Sequence, residues 1–437
     1  MSAASERWTI PFTGIVVLEY LDVIELSSGF SVGHCTIIQQ VMASRLEAKS
    51  RFSMESIMKI PFDVAKLDRL MEESGMAIAV ANTRHNVRYL SGGYFYHFHE
   101  NSTRMGRSQY LPFLGIVRNQ PADCFYVRRP DESGQMGAEL PWMPNLFEAV
   151  RGTVTSAESL AKAIKGLGLD RARIGVEMPF LPADAYLALR AELPNADFVD
   201  ATAVFDGLRE IKREDELIII RSAYSRLAEA IHATFLACGP GMATKDIERR
   251  ARKEIAQRDL SFLFSLICAG PGLLRAPSNE KWEKGQILHI DAGGSDLDYV
   301  ADICRMGCAG VPSSLAKELH GACIEVQDHV RSRIKPGVQC REILEAGHMA
   351  SSRYEFSRYA RFVVHGIGMV PYEQPVFLPA SMQALAEGMV LSIETDFLHP
   401  LAGHVKIEDA VAVTRSGCEG LGDFGREWTV LGEFESY

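Results

Sequence analysis

The hydrophobic and polar positions divide most of the chain into two parts. Between residues 58 and 207, short apolar runs alternate with amphipathic stretches, as in an α/β domain. This pattern predicts strands in "MAIAVAN", "YLPFLGIVRN" and "DCFYVRRP", and helices at 64–73, 156–166 and 184–192. After the charged segment "REIKREDE", the run "LIIIRSAYSRLAEAIHATFLAC" predicts a long amphipathic helix that ends at Gly239, Pro240 and Gly241. We therefore predict one domain at 58–207 and a second at 208–437.

The first 57 residues do not fit this pattern. The apolar run "GIVVLEYLDVIEL" has no clear partner, and Met58 is a plausible start residue for the regular part of the chain. We interpret residues 1–57 either as a peripheral extension or as translated upstream sequence.

The second part contains an internal repeat. "PGMATKDI" at 240–247 matches "PGVQCREI" at 336–343, and "EKGQILHID" at 283–291 matches "AEGMVLSIE" at 386–394. The second match aligns Asp291 with Glu394, and a further acid follows each of them, Asp302 and Glu408. Two similar units would pack about a pseudo-twofold axis and bring four strand carboxylates together. The alternative is a chance match, since Pro-Gly before a helix is common punctuation.

These acids lie among apolar residues that favour burial, namely Ile287, Leu288, Ile290 and Ile303. Buried carboxylates that converge repel one another unless a cation offsets their charge, which favours a divalent metal site. The strand-like run "RFVVHGIGM" offers His365 as a nitrogen ligand, although a single His after a strand is more often a core residue. The period-2 rule places Lys406 on the same face as Glu408. Two further acids, Asp296 and Asp298, are interpreted as solvated turn residues.

Composition narrows the classes of function. The chain has 437 residues, of which 47% are hydrophobic and 23% charged, and its net charge of -10 argues against a nucleic-acid surface. Its nine cysteines show no CxxC pairing, which is typical of reduced thiols in a cytoplasmic protein. No uncharged stretch reaches the roughly 18 residues of a membrane span, and the N-terminus lacks the basic-then-apolar pattern of a signal peptide. We expect neither nucleic acid nor membrane as a partner.

At this point the residues resemble the pita-bread metallohydrolases: prolidase, aminopeptidase P, methionine aminopeptidase and their creatinase-like relatives. Five residues match the metal ligands of that family in order, type and context: Asp291, Asp302, His365, Glu394 and Glu408. The segment "LREIKREDELIIIRSA" is similar to the entry of the catalytic domain in the prolidase and creatinase branch, through Arg209, Lys212, Glu216 and Arg221. Over residues 58 to about 430, the resemblance implies a creatinase-like α/β domain followed by an α+β pita-bread domain with a pseudo-twofold duplication.

The resemblance also implies a mechanism. Two divalent ions would be bound, with Mn²⁺ expected first and Co, Fe or Zn as alternatives. Asp291 would hold one ion, His365 and Glu394 the other, and Asp302 and Glu408 would bridge them. A hydroxide between the ions would be the nucleophile, and Glu394 the general base. A homodimer is the assembly expected from the family.

The surroundings of the predicted ligands depart from the family pattern. The upstream active-site His of the family falls on Leu274 or Arg275, and a second auxiliary His falls on Tyr372. Where the family usually has an Arg two residues before the last ligand, this chain has Lys406. Where the family usually has Pro-Gly after the fourth ligand, this chain has Thr395-Asp396. We treat Tyr372 and Lys406 as candidate substrate contacts and note His97 and His99 as further candidates.

The predicted function is a dinuclear metal-dependent hydrolase that cleaves an amide bond in a dipeptide or small peptide-like substrate, as Xaa-Pro dipeptidases do. Because both auxiliary His side chains are absent, one alternative is a family member with non-peptide chemistry, a small amide or amidine hydrolase or a lyase. Another alternative is a non-catalytic binding module, against which the complete set of ligands counts.

Overall fold

The computed structural model describes residues 60–97, 110–139 and 142–431. The 1–57 segment and His99 lie outside the described residues. Within the described part of the chain, no helix is both long enough and apolar enough to cross a membrane.

A mixed six-stranded sheet with helices forms the first half of the described chain. Its strands follow the order β4-β3-β2-β1-β5-β6. They are β1 (Ile78–Ala81), β2 (Phe113–Val117), β3 (Phe125–Arg128), β4 (Asn145–Glu148), β5 (Arg173–Val176) and β6 (Asp197–Asp200). The helices are α1 (Val64–Glu73), α2 (Arg84–Ser91), α3 (Ser133–Glu139), α4 (Thr153–Gly166), α5 (Ala183–Glu192) and α6 (Thr202–Arg209). The expected α/β pattern is confirmed, including the helix at 64–73.

The second half is built around a larger sheet in the order β10-β11-β12-β9-β8-β7. Its strands are β7 (Ser261–Ala269), β8 (Ile287–Asp296), β9 (Tyr299–Ala309), β10 (Ala360–Gly366), β11 (Val390–His399) and β12 (Gly403–Val413). Two short strands, β13 (Cys418–Leu421) and β14 (Thr429–Leu431), pair with β12 and β9. The helices are α7 (Glu214–Ala237), α8 (Thr244–Ala256), α9 (Ser314–Arg331) and α10 (Cys340–Ser351).

The predicted duplication is present in the hydrogen bonds of the two halves of this sheet. Gly241 N–H donates to the carbonyl of Trp282, and in the second copy Gly337 N–H donates to the carbonyl of Leu385. Gly285 and Gly388, which were aligned from the sequence, have φ angles of 80° and 88° before their strands. Only glycine adopts this left-handed region at little cost, which explains why the same residue stands at both turns. The units β7-β8-β9 and β10-β11-β12 therefore repeat one another.

The helices determine which face of the sheet carries the acids. Ile290 and Ala292 on β8 join a hydrophobic cluster with Leu227 of α7. Val405 and Ile407 on β12 join another cluster with Leu319 of α9. Side chains alternate along a strand, so Asp291, Lys406 and Glu408 project from the opposite face.

Ion pairs connect the domain of the six-stranded sheet to the domain of the larger sheet at two places. Asp298, in the β8–β9 turn, binds Arg84 Nη2 at 2.8 Å and Arg88 Nε at 2.9 Å. Buried Glu373 accepts from Lys212 Nζ at 2.7 Å and lies 3.5 Å from Arg209 Nε. The interpretation of Asp298 as a solvated turn residue was wrong, because its carboxylate is needed by two arginines of a distant helix.

The other turn acid also has a partner. Asp296 forms an ion pair with Arg226 of α7, so it does not act as a purely solvated residue either.

Candidate metal centre

The sheet register brings the five predicted ligands together from five strands. Glu394 on β11 pairs directly with Glu408 on β12, and His365 on β10 pairs with Ser392, two residues from Glu394. On the other side of the pseudo-twofold axis, Asp291 pairs with Cys304. Cys304 in turn pairs with Glu408 across the boundary between the two units. Strands far apart in sequence thus meet at one point.

The second acids of the two units do not occupy equivalent positions. The cross-strand partner of Asp291 is Cys304, whereas the partner of Glu394 is Glu408. Asp302 lies two residues before Cys304 and corresponds by register to Lys406. The sheet register therefore places Asp291 and Glu394 at equivalent positions, as the sequence alignment did. Asp302 and Glu408 are not at equivalent positions, and they break the symmetry.

Two overlapping groups of side chains have the geometry of a metal site. The ligand atoms of His365, Glu394 and Glu408 lie within 4.8 Å of one another, and so do those of Asp291, Asp302 and Glu408. All five residues are buried. His365 Nε2 lies 3.4 Å from Glu394 Oε1 and 4.0 Å from Glu408 Oε1. The set of oxygens with one imidazole nitrogen suits a divalent first-row ion.

Two atoms of this cluster lack the partner that a buried polar atom requires. Asp302 Oδ1 and His365 Nε2 are buried without a hydrogen bond to any described residue. His365 Nδ1 lies 3.1 Å from the carbonyl of Gly366, which orients Nε2 toward the acids. Buried polar groups are nearly always satisfied, and metal bound in the cluster would satisfy these atoms. The residues therefore fit a divalent metal.

Lys406 lies inside the cluster. Its Nζ is 2.6 Å from Glu408 Oε2, 2.7 Å from Glu394 Oε2 and 2.8 Å from Asp291 Oδ2. Its side chain is only 2% exposed. The sequence prediction that Lys406 lies beside Glu408 is supported by these distances, but a lysine buried among three carboxylates has little freedom to contact a substrate. Its role as a substrate contact is therefore not supported.

Arg275 supplies a second cation that the sequence reasoning did not assign. It stands at the position of the missing auxiliary His, and its Nη2 donates to Asp291 Oδ2, the oxygen that also accepts from Lys406. The sequence contained an indication of this role, since Arg275 is one of the two residues that align with that His. The other, Leu274, is exposed.

Burial and mutual repulsion separate the pKa values of the acids. Burial, with the charges of Glu408 and Asp291, raises the pKa of Asp302 well above its usual range. Burial and the Glu394 charge raise the pKa of Glu408 to about 7. The pKa of Glu394 is lowered despite burial, because the His365 ring and the Lys406 charge stabilise its anionic form. Without a further cation, the cluster therefore favours proton uptake by Asp302 and Glu408.

Tyr372 lies at the mouth of the cluster. Its ring centroid is 4.2 Å from that of His365, and the residue is 68% exposed. A phenol in this place can donate a hydrogen bond to a bound substrate but carries no positive charge. Tyr372 as a substrate contact stays a prediction. His97, the other described candidate, is exposed and its backbone N–H donates to Gln135 Oε1.

His289 and His404 are two further buried polar residues near the acids, and they were not identified from the sequence. The rings of His289 and His404 stack with centroids 4.4 Å apart, and His289 Nε2 lies 3.9 Å from Asp291 Oδ2. Burial, followed by the neighbouring His404 and Lys406, lowers the pKa of His289 well below its usual range. Period-2 alternation could have found both residues, since each lies two positions before a residue of the cluster. As a neutral ring, His289 adds no positive charge.

Family models match both halves of the described chain. A model of metallopeptidase family M24 matches residues 218–415, and a model of the creatinase/prolidase N-terminal domain matches residues 64–211. Among curated proteins, an Xaa-Pro dipeptidase of Pyrococcus horikoshii is 24% identical over 83% of this chain and 97% of its own. An uncharacterized peptidase, YqhT, of Bacillus subtilis is 25% identical over 65% of this chain and 82% of its own.

Solved structures share the fold over most of the chain. An Xaa-Pro dipeptidase from Bacillus anthracis superimposes with a TM-score of 0.72 at 21% identity, and covers 84% of this chain and 99% of its own. The expected architecture, a creatinase-like domain followed by a pita-bread catalytic domain, is confirmed. Residues 218–415 therefore belong to metallopeptidase family M24, the pita-bread metallohydrolases, and residues 64–211 to the creatinase/prolidase N-terminal domain family.

Proposed function

We propose that this protein is a metal-dependent hydrolase that cleaves an amide bond in a dipeptide or a small peptide-like substrate. The observation that carries the proposal is a pair of buried groups that share Glu408, one with His365 and Glu394 and the other with Asp291 and Asp302. Two atoms of these groups, Asp302 Oδ1 and His365 Nε2, lack a hydrogen bond to any described residue. The relatives named Xaa-Pro dipeptidase support the substrate class.

The side chains of the cluster would divide the work. A divalent ion bound there supplies Lewis-acid chemistry, polarising the scissile carbonyl and lowering the pKa of water toward neutrality. Glu394 would accept a proton from the attacking water, the role that the family resemblance implies for it. Tyr372, at the open side, can donate from its hydroxyl to the substrate carbonyl.

Non-peptide chemistry is favoured by one observation. Arg275, one of the two residues aligned with an auxiliary His, donates to Asp291. Neither auxiliary position of the peptidase pattern therefore provides an imidazole. A small amide or amidine hydrolase, or a lyase, would need neither.

Further properties of the site and the protein follow from the family resemblance and stay predictions. They are the two-ion form of the site, Mn²⁺ as the native ion, a homodimer and a cytoplasmic location. Metal analysis tests the first two, and light scattering and fractionation test the others.

The direct test is metal content and turnover of protein purified without chelator. With Mn²⁺ added, the protein is assayed on Xaa-Pro, Pro-Xaa and non-proline dipeptides, and on small non-peptide amides. Metal with Xaa-Pro turnover is the expected result. Bound metal without cleavage of any dipeptide would indicate a hydrolase of non-peptide substrates. Absence of metal binding would overturn the proposed enzyme function in favour of a binding module.

A further inference from the structure

The position of Lys406 Nζ determines how many ions the cluster can hold. It contacts one oxygen of each of three carboxylates, Asp291 Oδ2, Glu394 Oε2 and Glu408 Oε2, at 2.6–2.8 Å. An ammonium has three N–H donors, so these three contacts saturate it. A metal bound by the same oxygens would lie about 2.0–2.6 Å from each of them, and so would overlap the nitrogen.

The oxygens left over lie on the other side of the cluster. Glu394 Oε1 faces His365 Nε2 at 3.4 Å, and Glu408 Oε1 lies 4.0 Å from the same nitrogen. Asp302 Oδ1 and His365 Nε2 have no hydrogen-bond partner among the described residues. The ligand atoms of His365, Glu394 and Glu408 lie within 4.8 Å of one another, so that one point between them offers an ion two oxygens and one nitrogen. The Asp291 Oδ2 oxygen, by contrast, is already shared by Lys406 and Arg275.

The charges of the cluster also indicate a single divalent ion. Asp291, Asp302, Glu394 and Glu408 together carry four negative charges when ionised, and Lys406 and Arg275 carry two positive ones. One divalent ion neutralises the remaining two. Two divalent ions would leave a net charge of +2 on these buried groups, which is costly to desolvate.

We propose that Lys406, with Arg275, permanently takes the place of one of the two family ions, and that the site binds a single divalent ion through His365, Glu394 and Glu408, with Asp302 beside Glu408. Asp291 then anchors the two cations and is not a metal ligand. This inference rests on the proposed function in that it concerns the same site, and it differs from the two-ion arrangement expected from the resemblance.

The test is a titration of the metal-free full-length protein with Mn²⁺ alone, followed by calorimetry, elemental analysis and electron paramagnetic resonance. One ion per chain with the spectrum of an isolated Mn²⁺ is expected. Two ions with the spectrum of a coupled pair would overturn the inference, and so would absence of binding.

Variants separate the two sides of the cluster. Asp291→Asn should still bind one Mn²⁺ with less than about a 10-fold change in Kd, whereas His365→Ala should raise Kd by more than about 100-fold, beyond the effect of losing an outer partner. Equal losses of binding in both variants would contradict the inference. Lys406→Met should admit a second ion, while Lys406→Arg, which keeps the charge, should not. If a variant is unfolded by circular dichroism, the spectrum of the wild-type complex still decides between one ion and two.

These outcomes are distinct from those of the proposed function. Two coupled ions with dipeptide turnover would keep the function and remove the inference. A single isolated ion without turnover on any amide would keep the inference and remove the function.

Discussion

Glu394 and Glu408 are direct cross-strand partners on β11 and β12, and both are buried. Like charges in this arrangement destabilise an antiparallel pair, and burial adds the cost of desolvation. Lys406 lies between them, 2.7 Å from one and 2.6 Å from the other. The pair therefore depends on cations, of which the lysine is one and a metal ion is proposed to be another.

Removing a ligand should release the metal and leave the fold largely intact. We expect Asp302→Ala and Glu408→Ala to lose bound Mn²⁺ and to reduce turnover to background, because each carboxylate is central to the cluster. Elemental analysis and circular dichroism measure both effects. Asp296→Ala is the matched control, since this acid pairs with Arg226 at the end of β8 and should keep its metal. Wild-type metal content in either ligand variant would refute the site.

Restoring an imidazole at the mouth of the cluster should favour peptides. We expect Tyr372→His to raise any trace dipeptidase activity by about 10-fold, the value of one additional charge-assisted hydrogen bond to the substrate. Steady-state kinetics on Xaa-Pro dipeptides measure it. Tyr372→Phe, which removes the hydroxyl but keeps the ring against His365, should lower the rate. An unchanged rate in the His variant would show that this position does not determine specificity.

The buried Glu373 should contribute strongly to stability. Glu373→Gln leaves Lys212 and Arg209 without their shared anion, and loss of one partner of a buried pair costs about 3 kcal/mol. Urea unfolding at pH 7 measures the difference in free energy. Glu283→Gln, at an exposed position, serves as control and should have little effect.

The same variant has a predictable pH dependence. The pKa of Glu373 is lowered from 4.5, because the charges of Lys212 and Arg209 outweigh the effect of burial. A carboxylate with a depressed folded pKa contributes its full stability above the unfolded value and loses it as pH falls through the folded one. The difference between wild type and Glu373→Gln should therefore be constant above pH 4.5 and shrink at lower pH. A difference that grows on acidification would contradict this assignment.

Asp298 should hold the N-terminal domain to the β8–β9 turn. Its φ of 69° is one that Asn also tolerates, so Asp298→Asn removes the charge without straining the turn. We expect a loss of about 1 kcal/mol at low salt, which decreases in 1 M salt as the pairs with Arg84 and Arg88 are screened. Thermal unfolding at two salt concentrations measures it. Asp296→Asn, whose partner lies in the same domain, shows whether the effect is specific to the domain contact.

Much of the fold could be predicted from local patterns. The alternation of apolar and polar residues predicted α1 and the strands around it, and the matched segments before β8 and β11 predicted the duplication. These patterns can be recognised in the sequence because strand and helix periodicity depend on only a few neighbouring residues. They were less informative where the symmetry is broken, since no local pattern indicates that Asp302 pairs with Gly293 while Glu408 pairs with Glu394.

The sequence by itself determined which side chains carry the chemistry: the acids, His365 and the substitutions at Arg275, Tyr372 and Lys406 all stand in fixed order along the chain. Only the tertiary structure decided which cation lies where. Lys406 reaches Asp291, 115 residues away, because β12 and β9 join the two units of the sheet. Asp298 meets its arginines 214 and 210 residues away for a similar reason, the packing of one domain on the other. Long-range register sets these contacts, and it depends on the whole core rather than on any segment.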